Sequence, residues 1–134
     1  MKIKCRTIAR GCAEGQVLIT RDPISFLGNV NPKTGEIVDV NHELFGQSIK
    51  GKVLVFPHGK GSTVGSYVIY QLFKNDVAPA AMINLDSEPI VAVGAIISAI
   101  PLVDRLEKDP YSILNNGISI KVNSTEGYVE VSES

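Results

Sequence analysis

The sequence predicts an α/β domain built in β/β/α layers: a parallel central sheet with flanking helices plus a second, antiparallel sheet. Three observations carry this. The middle of the chain alternates short β-rich apolar runs with stretches of helical periodicity, in the order β-α-β-α-β. Both ends instead show two-residue alternation typical of half-exposed strands. The whole, 134 residues with 44% hydrophobic and 20% charged, suits one globular domain, 1–134.

The elements follow in order. "KIKCRTI" (2–8) alternates basic and apolar residues and reads as a strand; "GQVLIT" (15–20) reads as a second, with "GCAEG" as the turn between them. Residues 21–51 are rich in Pro, Gly, Asn and Asp, with a turn at "NPKTGE" (31–36) and a short strand at "EIVDV" (36–40). A long irregular stretch in a small domain is often functional. "KVLVF" (52–56) reads as a strand covered on both faces. Val64, Val68, Leu72 and Ile69, Phe73 then fall on adjoining helical stripes that end at Asn75 and Asp76. "AAMIN" (80–84) is a short strand. "SEPIVAVGAIISA" (87–99) suits a helix with Ser87 as N-cap and Pro89 near its start, although its branched residues also fit a strand. "PLV" (101–103) is a further short strand, and "GISIKV" (117–122) with "GYVEVS" (127–132) form a hairpin around "NSTEG".

Composition removes several function classes. Thirteen Lys and Arg balance fourteen Asp and Glu for a net charge of −1, so no global basic footprint marks a nucleic-acid or anionic-membrane binder. The longest uncharged apolar run, 89–103, is too short to span a bilayer and contains two prolines and a serine. The first residues lack the apolar stretch of a signal peptide, so the expected location is the cytoplasm. Cys5 and Cys12 match no zinc motif and are too few for an ordinary iron–sulfur cluster, so any cluster the protein uses must be held mostly by another chain.

The segment "HGKGSTVG" (58–65) resembles a phosphate-gripping loop between a strand and a helix. It fails the Walker A register, because Gly59-Lys60 is followed by Gly61 and Leu54 stands where the first glycine belongs. It also fails the dinucleotide pattern, because Val64 occupies the third glycine position and Gly65 comes one residue late. The physical character survives both failures. Gly59 and Gly61 permit close backbone approach, and Ser62 and Thr63 stand where a helix should begin and attract negative charge. A hydroxyl there either caps the helix or, with Lys60 and free N–H groups favouring its alkoxide, serves as a general base. His58 flanks the loop and suits substrate contact; His42 suits closure of the irregular segment. No G-x-S-x-G elbow or metal-binding His pair is present.

Several blocks, "GCAEGQVL", "ISFLGNVNPKTGEIVDVNHELFGQSIKGKVLVFPHGKGSTVGSYVIYQL", "PAAMIN" and "EPIVAVGAIISAIPLVD", together resemble the small subunit of the aconitase X family in its archaeal form, from about Gly11 to Asp104. The resemblance implies a swivelling β/β/α domain. It implies a large-subunit partner that carries a [4Fe–4S] cluster on its own cysteines, in a heterodimer. The activity implied is dehydration of (R)-5-phosphomevalonate to trans-anhydromevalonate 5-phosphate, in the mevalonate route to isoprenoids. The serine of the "GKGS" block, Ser62 here, is implied as proton acceptor. Gly59, Lys60, Gly61, Thr63 and His58 are then expected to face the anionic substrate, and this chain is expected to bind no metal of its own. Two other readings remain open: a subunit of a cis-3-hydroxy-L-proline dehydratase, and a non-catalytic anion-binding module.

Overall fold

Two-residue alternation along the central strands sorts their apolar side chains into two separate cores. The structure, a computed structural model, describes residues 1–132. Its elements are β1 (Lys2–Lys4), β2 (Arg6–Ala9), β3 (Cys12–Ile19), α1 (Phe26–Asn29), β4 (Val53–Val55), α2 (Gly65–Lys74), β5 (Ala81–Ile83), α3 (Pro89–Ile97), β6 (Leu102–Asp104), α4 (Pro110–Ile113), β7 (Ser119–Asn123) and β8 (Tyr128–Val131). The strand order is β1-β8-β7-β3-β4-β5-β6-β2. Strands β3 to β6 run parallel; α2 crosses from β4 to β5, α3 from β5 to β6, and the irregular segment from β3 to β4. The remaining pairs are antiparallel.

Strand β3 belongs to both sheets. Cys12–Gln16 pair with β7 and Val17–Ile19 pair with β4. The N-terminal stretch joins the far edges, because β1 pairs with β8 and β2 with β6 on either side of Cys5. The antiparallel sheet therefore folds over one face of the parallel one. Val53, Val55, Ala81, Ile83 and Val103 meet Ile120, Val122 and Val129 in the core between the sheets. Leu54, Met82 and Leu102 point the other way, into a core shared with Val68, Ile69 and Leu72 of α2 and Val91 and Ala95 of α3. The two helices pack closely at Gly94, where an added Cβ would lie 2.6 Å from Ile69 Cδ1.

The β/β/α layering and the order of central elements are as expected, and the apolar run at 87–99 resolves as a helix. Several details differ. The strand expected over 2–8 is split at Cys5, where the backbone N–H turns aside to donate to Gly127 O at 3.0 Å. The turn expected over "GCAEG" is shorter: Cys12 to Glu14 already pair in β3, and Gly11 (φ +152°) makes the bend. Residues 36–40 form no strand; only the bridges Val30–Ile37 and Glu36–Ser48 occur there. Glu88, not Ser87, caps α3, its carboxylate accepting from Ile90 N at 2.8 Å and Val91 N at 2.7 Å. Val64 and Phe73, expected on the apolar stripes of α2, are both exposed, and Val64 stands outside the helix at its N-cap. Short helix α4, begun by Asp109 and Pro110, was not expected.

The irregular 21–51 segment forms a wall of the helix-side core. Ile24, Phe26, Val30, Ile37, Leu44 and Ile49 are all buried in it. His42 closes the segment as expected: its Nε2–H donates to Pro23 O at 3.1 Å and its Nδ1 accepts from Leu44 N at 3.1 Å. No helix among the described residues is long and apolar enough to cross a membrane.

Leu54 is fully buried at the centre of this arrangement. Leu54→Ala is expected to lower unfolding free energy by about 2–5 kcal/mol, read as a lower denaturant midpoint with little change in slope. A midpoint unchanged from the parent chain would contradict the two-core description.

Candidate active site

The carboxyl ends of the parallel strands carry the loops in which α/β sheets generally bind ligands. The β4–α2 loop is seated first on the loop that follows β5. Leu85 N donates to Pro57 O at 3.0 Å, and Asn84 Nδ2 donates to Phe56 O at 3.1 Å. Next it pairs with the irregular segment: Ile24 N donates to His58 O at 3.3 Å and Lys60 N to Ile24 O at 3.1 Å. Gly59 is buried at this crossing. A Cβ there would come within 2.4 Å of Val91 Cγ2 and 2.5 Å of Glu88 Oε1, so no larger residue fits without displacing α3 or the loop. Gly61 adopts φ +88°, with Ser25 Oγ 2.5 Å from where a Cβ would stand.

Ser62 follows at the tip. Its Oγ accepts from Val64 N at 3.1 Å, and its carbonyl accepts from Gly65 N at 2.9 Å. Helix α2 thus starts three residues beyond the serine, later than expected, and Val64 stands at its N-cap with no side-chain cap bond. Ser62 and Thr63 sit in the turn that leads into the helix, and both are exposed. Among the described residues, the N–H groups of Gly61, Ser62 and Thr63 have no protein acceptor. The serine oxygen therefore lies among unfilled donors at the positive end of a helix. A hydrogen bond donated to an oxygen favours its charged form, so the Val64 N–H works in the direction a general base needs.

His58, Gly59, Lys60, Gly61, Ser62 and Thr63 lie in one continuous loop between β4 and α2. His58 Nδ1–H donates to Gly59 O at 2.8 Å, which makes Nε2 the acceptor of the neutral ring. Lys60 is exposed and borders a polar recess with Asp22, Asn29, Asp39 and His42. No hydrogen bond joins Lys60 to Ser62 among the described residues. Sequence reasoning missed the supporting residues, namely Ile24, Ser25, Asn29 and Glu88. The density of Asn, Asp and Ser over 21–51 signals turns, but not which side chain reaches which loop.

The donor set does not fit a metal or a cluster. Among the described residues no three of His, Cys, Asp and Glu converge in a way that could hold a metal ion. Cys5 and Cys12 are unpaired. Burial, helped by the Asp104 carboxylate, pushes the Cys5 thiol up to about 11. At pH 8 its thiolate fraction is then on the order of one in a thousand, whereas Cys12 is exposed. Iodoacetamide at pH 8 is expected to label Cys12 and spare Cys5 in the isolated folded chain, with Cys5 labelled only on denaturation or near pH 11. Equal labelling in peptide mass spectra would contradict that environment.

A family model described as the aconitase X swivel domain matches residues 2–131. The phosphomevalonate dehydratase small subunit of Methanococcoides burtonii is 70% identical over 131 residues, covering 98% of this chain and 96% of that protein. The subunit of the same name from Methanosarcina mazei is 71% identical over 131 residues, covering 98% and 91%. The crystal structure of Thermococcus kodakaraensis aconitase X in its holo-form superposes with a TM-score of 0.93 at 53% identity, covering 99% of both chains. The order of strands and crossovers, the serine loop at the carboxyl end of the parallel sheet and these matches agree: the chain belongs to the aconitase X swivel domain family.

Proposed function

We propose that this chain is the small subunit of a two-chain hydro-lyase that dehydrates (R)-5-phosphomevalonate, and that Ser62 is its proton acceptor. The observation that carries the reading is the setting of Ser62. Its Oγ accepts the Val64 N–H at the head of α2, beside N–H groups that have no protein acceptor among the described residues. A free serine hydroxyl is far too weak an acid to serve as base, and such a setting lowers that barrier. The names carried by the relatives supply the substrate.

In the reaction the Ser62 alkoxide takes the proton from the carbon beside the substrate carboxylate. The freed electron pair forms the carbon–carbon double bond, and hydroxide leaves the neighbouring carbon. A Lewis acid for that hydroxide would come from a [4Fe–4S] cluster on the large subunit's own cysteines. The N–H groups of Gly61 to Thr63 and the Lys60 ammonium suit the carboxylate or phosphate of such a substrate, and His58 Nε2 offers an acceptor to a substrate hydroxyl. Leu27, Val64 and Tyr67, all exposed, flank the serine loop with apolar surface that suits a partner subunit. Residues 1–134 acting as one swivelling unit against that partner, in the cytoplasm, belong to the same reading.

Co-expression with a cluster-bearing large subunit under anaerobic conditions is expected to give dehydration of 5-phosphomevalonate and none of cis-3-hydroxy-L-proline. The small chain alone is expected to be inactive. Ser62→Ala is expected to lower kcat by at least about a thousandfold while the subunits still associate. Near-normal turnover in that variant would remove the serine from the mechanism. Lys60→Ala is expected to raise KM roughly tenfold or more, the scale of one charge-assisted contact. Unchanged kcat and KM would return Lys60 to the solvated surface.

A further inference from the structure

The serine loop leans on the irregular segment, and within that segment one buried amide holds the contact in place. Asn29 is 7% exposed. Its Oδ1 accepts from Ser25 N at 2.8 Å and its Nδ2 donates to Asp39 Oδ2 at 2.8 Å. Its backbone N–H donates to Ser25 O at 2.9 Å, and its carbonyl accepts from Val38 N at 2.8 Å. Asp39 uses its other oxygen to accept from Asn41 N at 2.9 Å. One side chain therefore closes the 25–29 turn and ties it to residues 38–41.

That turn is what the catalytic loop rests on. Ser25 Oγ stands 2.5 Å from the Cβ position of Gly61, the residue before Ser62. Ile24, next to Ser25, makes both backbone bonds to His58 and Lys60. The path of residues 58–61, and so the point from which Ser62 departs, is set by where Ile24 and Ser25 lie. No other side chain bonds to the backbone of Ser25 among the described residues.

We propose that the Asn29–Asp39 pair positions Ser62. It acts through the turn against which the serine loop is seated. The inference rests on the reading of Ser62 as proton acceptor. Displacing a reacting group by an ångström costs on the order of a hundredfold in rate, even from a distant site.

A polarity swap tests the pair in the complete two-chain enzyme. Asn29→Asp keeps the acceptor for Ser25 N but sets a carboxylate against that of Asp39. Adding Asp39→Asn restores the bond in reverse: the new amide donates to the carboxylate at position 29, and its oxygen still accepts from Asn41 N. Asn29→Asp alone is expected to lower kcat roughly hundredfold with subunit association unchanged. The double variant is expected to recover to within about threefold of the parent. Hydrogen exchange in the full small chain gives a readout independent of chemistry. The Lys60 amide, bonded to Ile24 O, should exchange faster in the single variant and return to the parent rate in the double. Parent-like kcat in Asn29→Asp, a double no better than the single, or Lys60 exchange that never changes would each overturn the proposal. Should Ser62→Ala prove active, the base assignment falls, and the Lys60 exchange still decides whether the pair anchors the loop.

Discussion

The central strands have no face to spare. Val53, Leu54, Val55, Ala81, Met82 and Ile83 are all at most 1% exposed, shared between a core beneath the antiparallel sheet and a core beneath the helices. A strand buried on both faces can present chemistry only at its ends. This constraint sends the serine loop and the loop after β5 to one edge of the sheet, where Pro57, Phe56, Asn84 and Leu85 bind them together. The geometry around Ser62 follows from it. Gly59 is pressed against Glu88 and Val91 because α3 must cover the same sheet, and only glycine leaves room for the backbone to pass.

Much of this was legible because the signals are local. Alternation marked the terminal strands, and the three- and four-residue spacing of Val68, Ile69 and Leu72 marked α2. What was misread depends on partners distant in sequence. Cys5 breaks a strand because its N–H is drawn to Gly127. Cys12 to Glu14 look like a turn by composition, yet they pair with Lys121, Val122 and Asn123 of β7. Glu88 rather than Ser87 caps α3, a one-residue difference that only the backbone path decides.

The site divides in the same way. Glycines, hydroxyls and a lysine beside an apolar run announced an anion-friendly turn, and the register of Gly59, Lys60 and Gly61 excluded two nucleotide loops. The late start of α2 could not be read from that run, since Ser62 and Thr63 have ordinary N-cap chemistry. Nor could the buttress. Asn29 and Asp39 are ordinary turn residues in the sequence, and only the folded chain shows that their bond lies behind Ser25 and Gly61. The 21–51 segment, irregular in appearance, thus joins the apolar wall of one core to the footing of the serine turn.

We propose a division of labour, in which this chain takes the substrate proton and its partner assists the departing hydroxide. Solvent-deuterium exchange at the carbon beside the carboxylate separates the two directly. Substrate or product incubated in deuterium oxide with the parent complex should gain deuterium there, and with the Ser62→Ala complex it should not. Deuterium appearing at the parent rate without the Ser62 hydroxyl would mean that the base lies on the other chain.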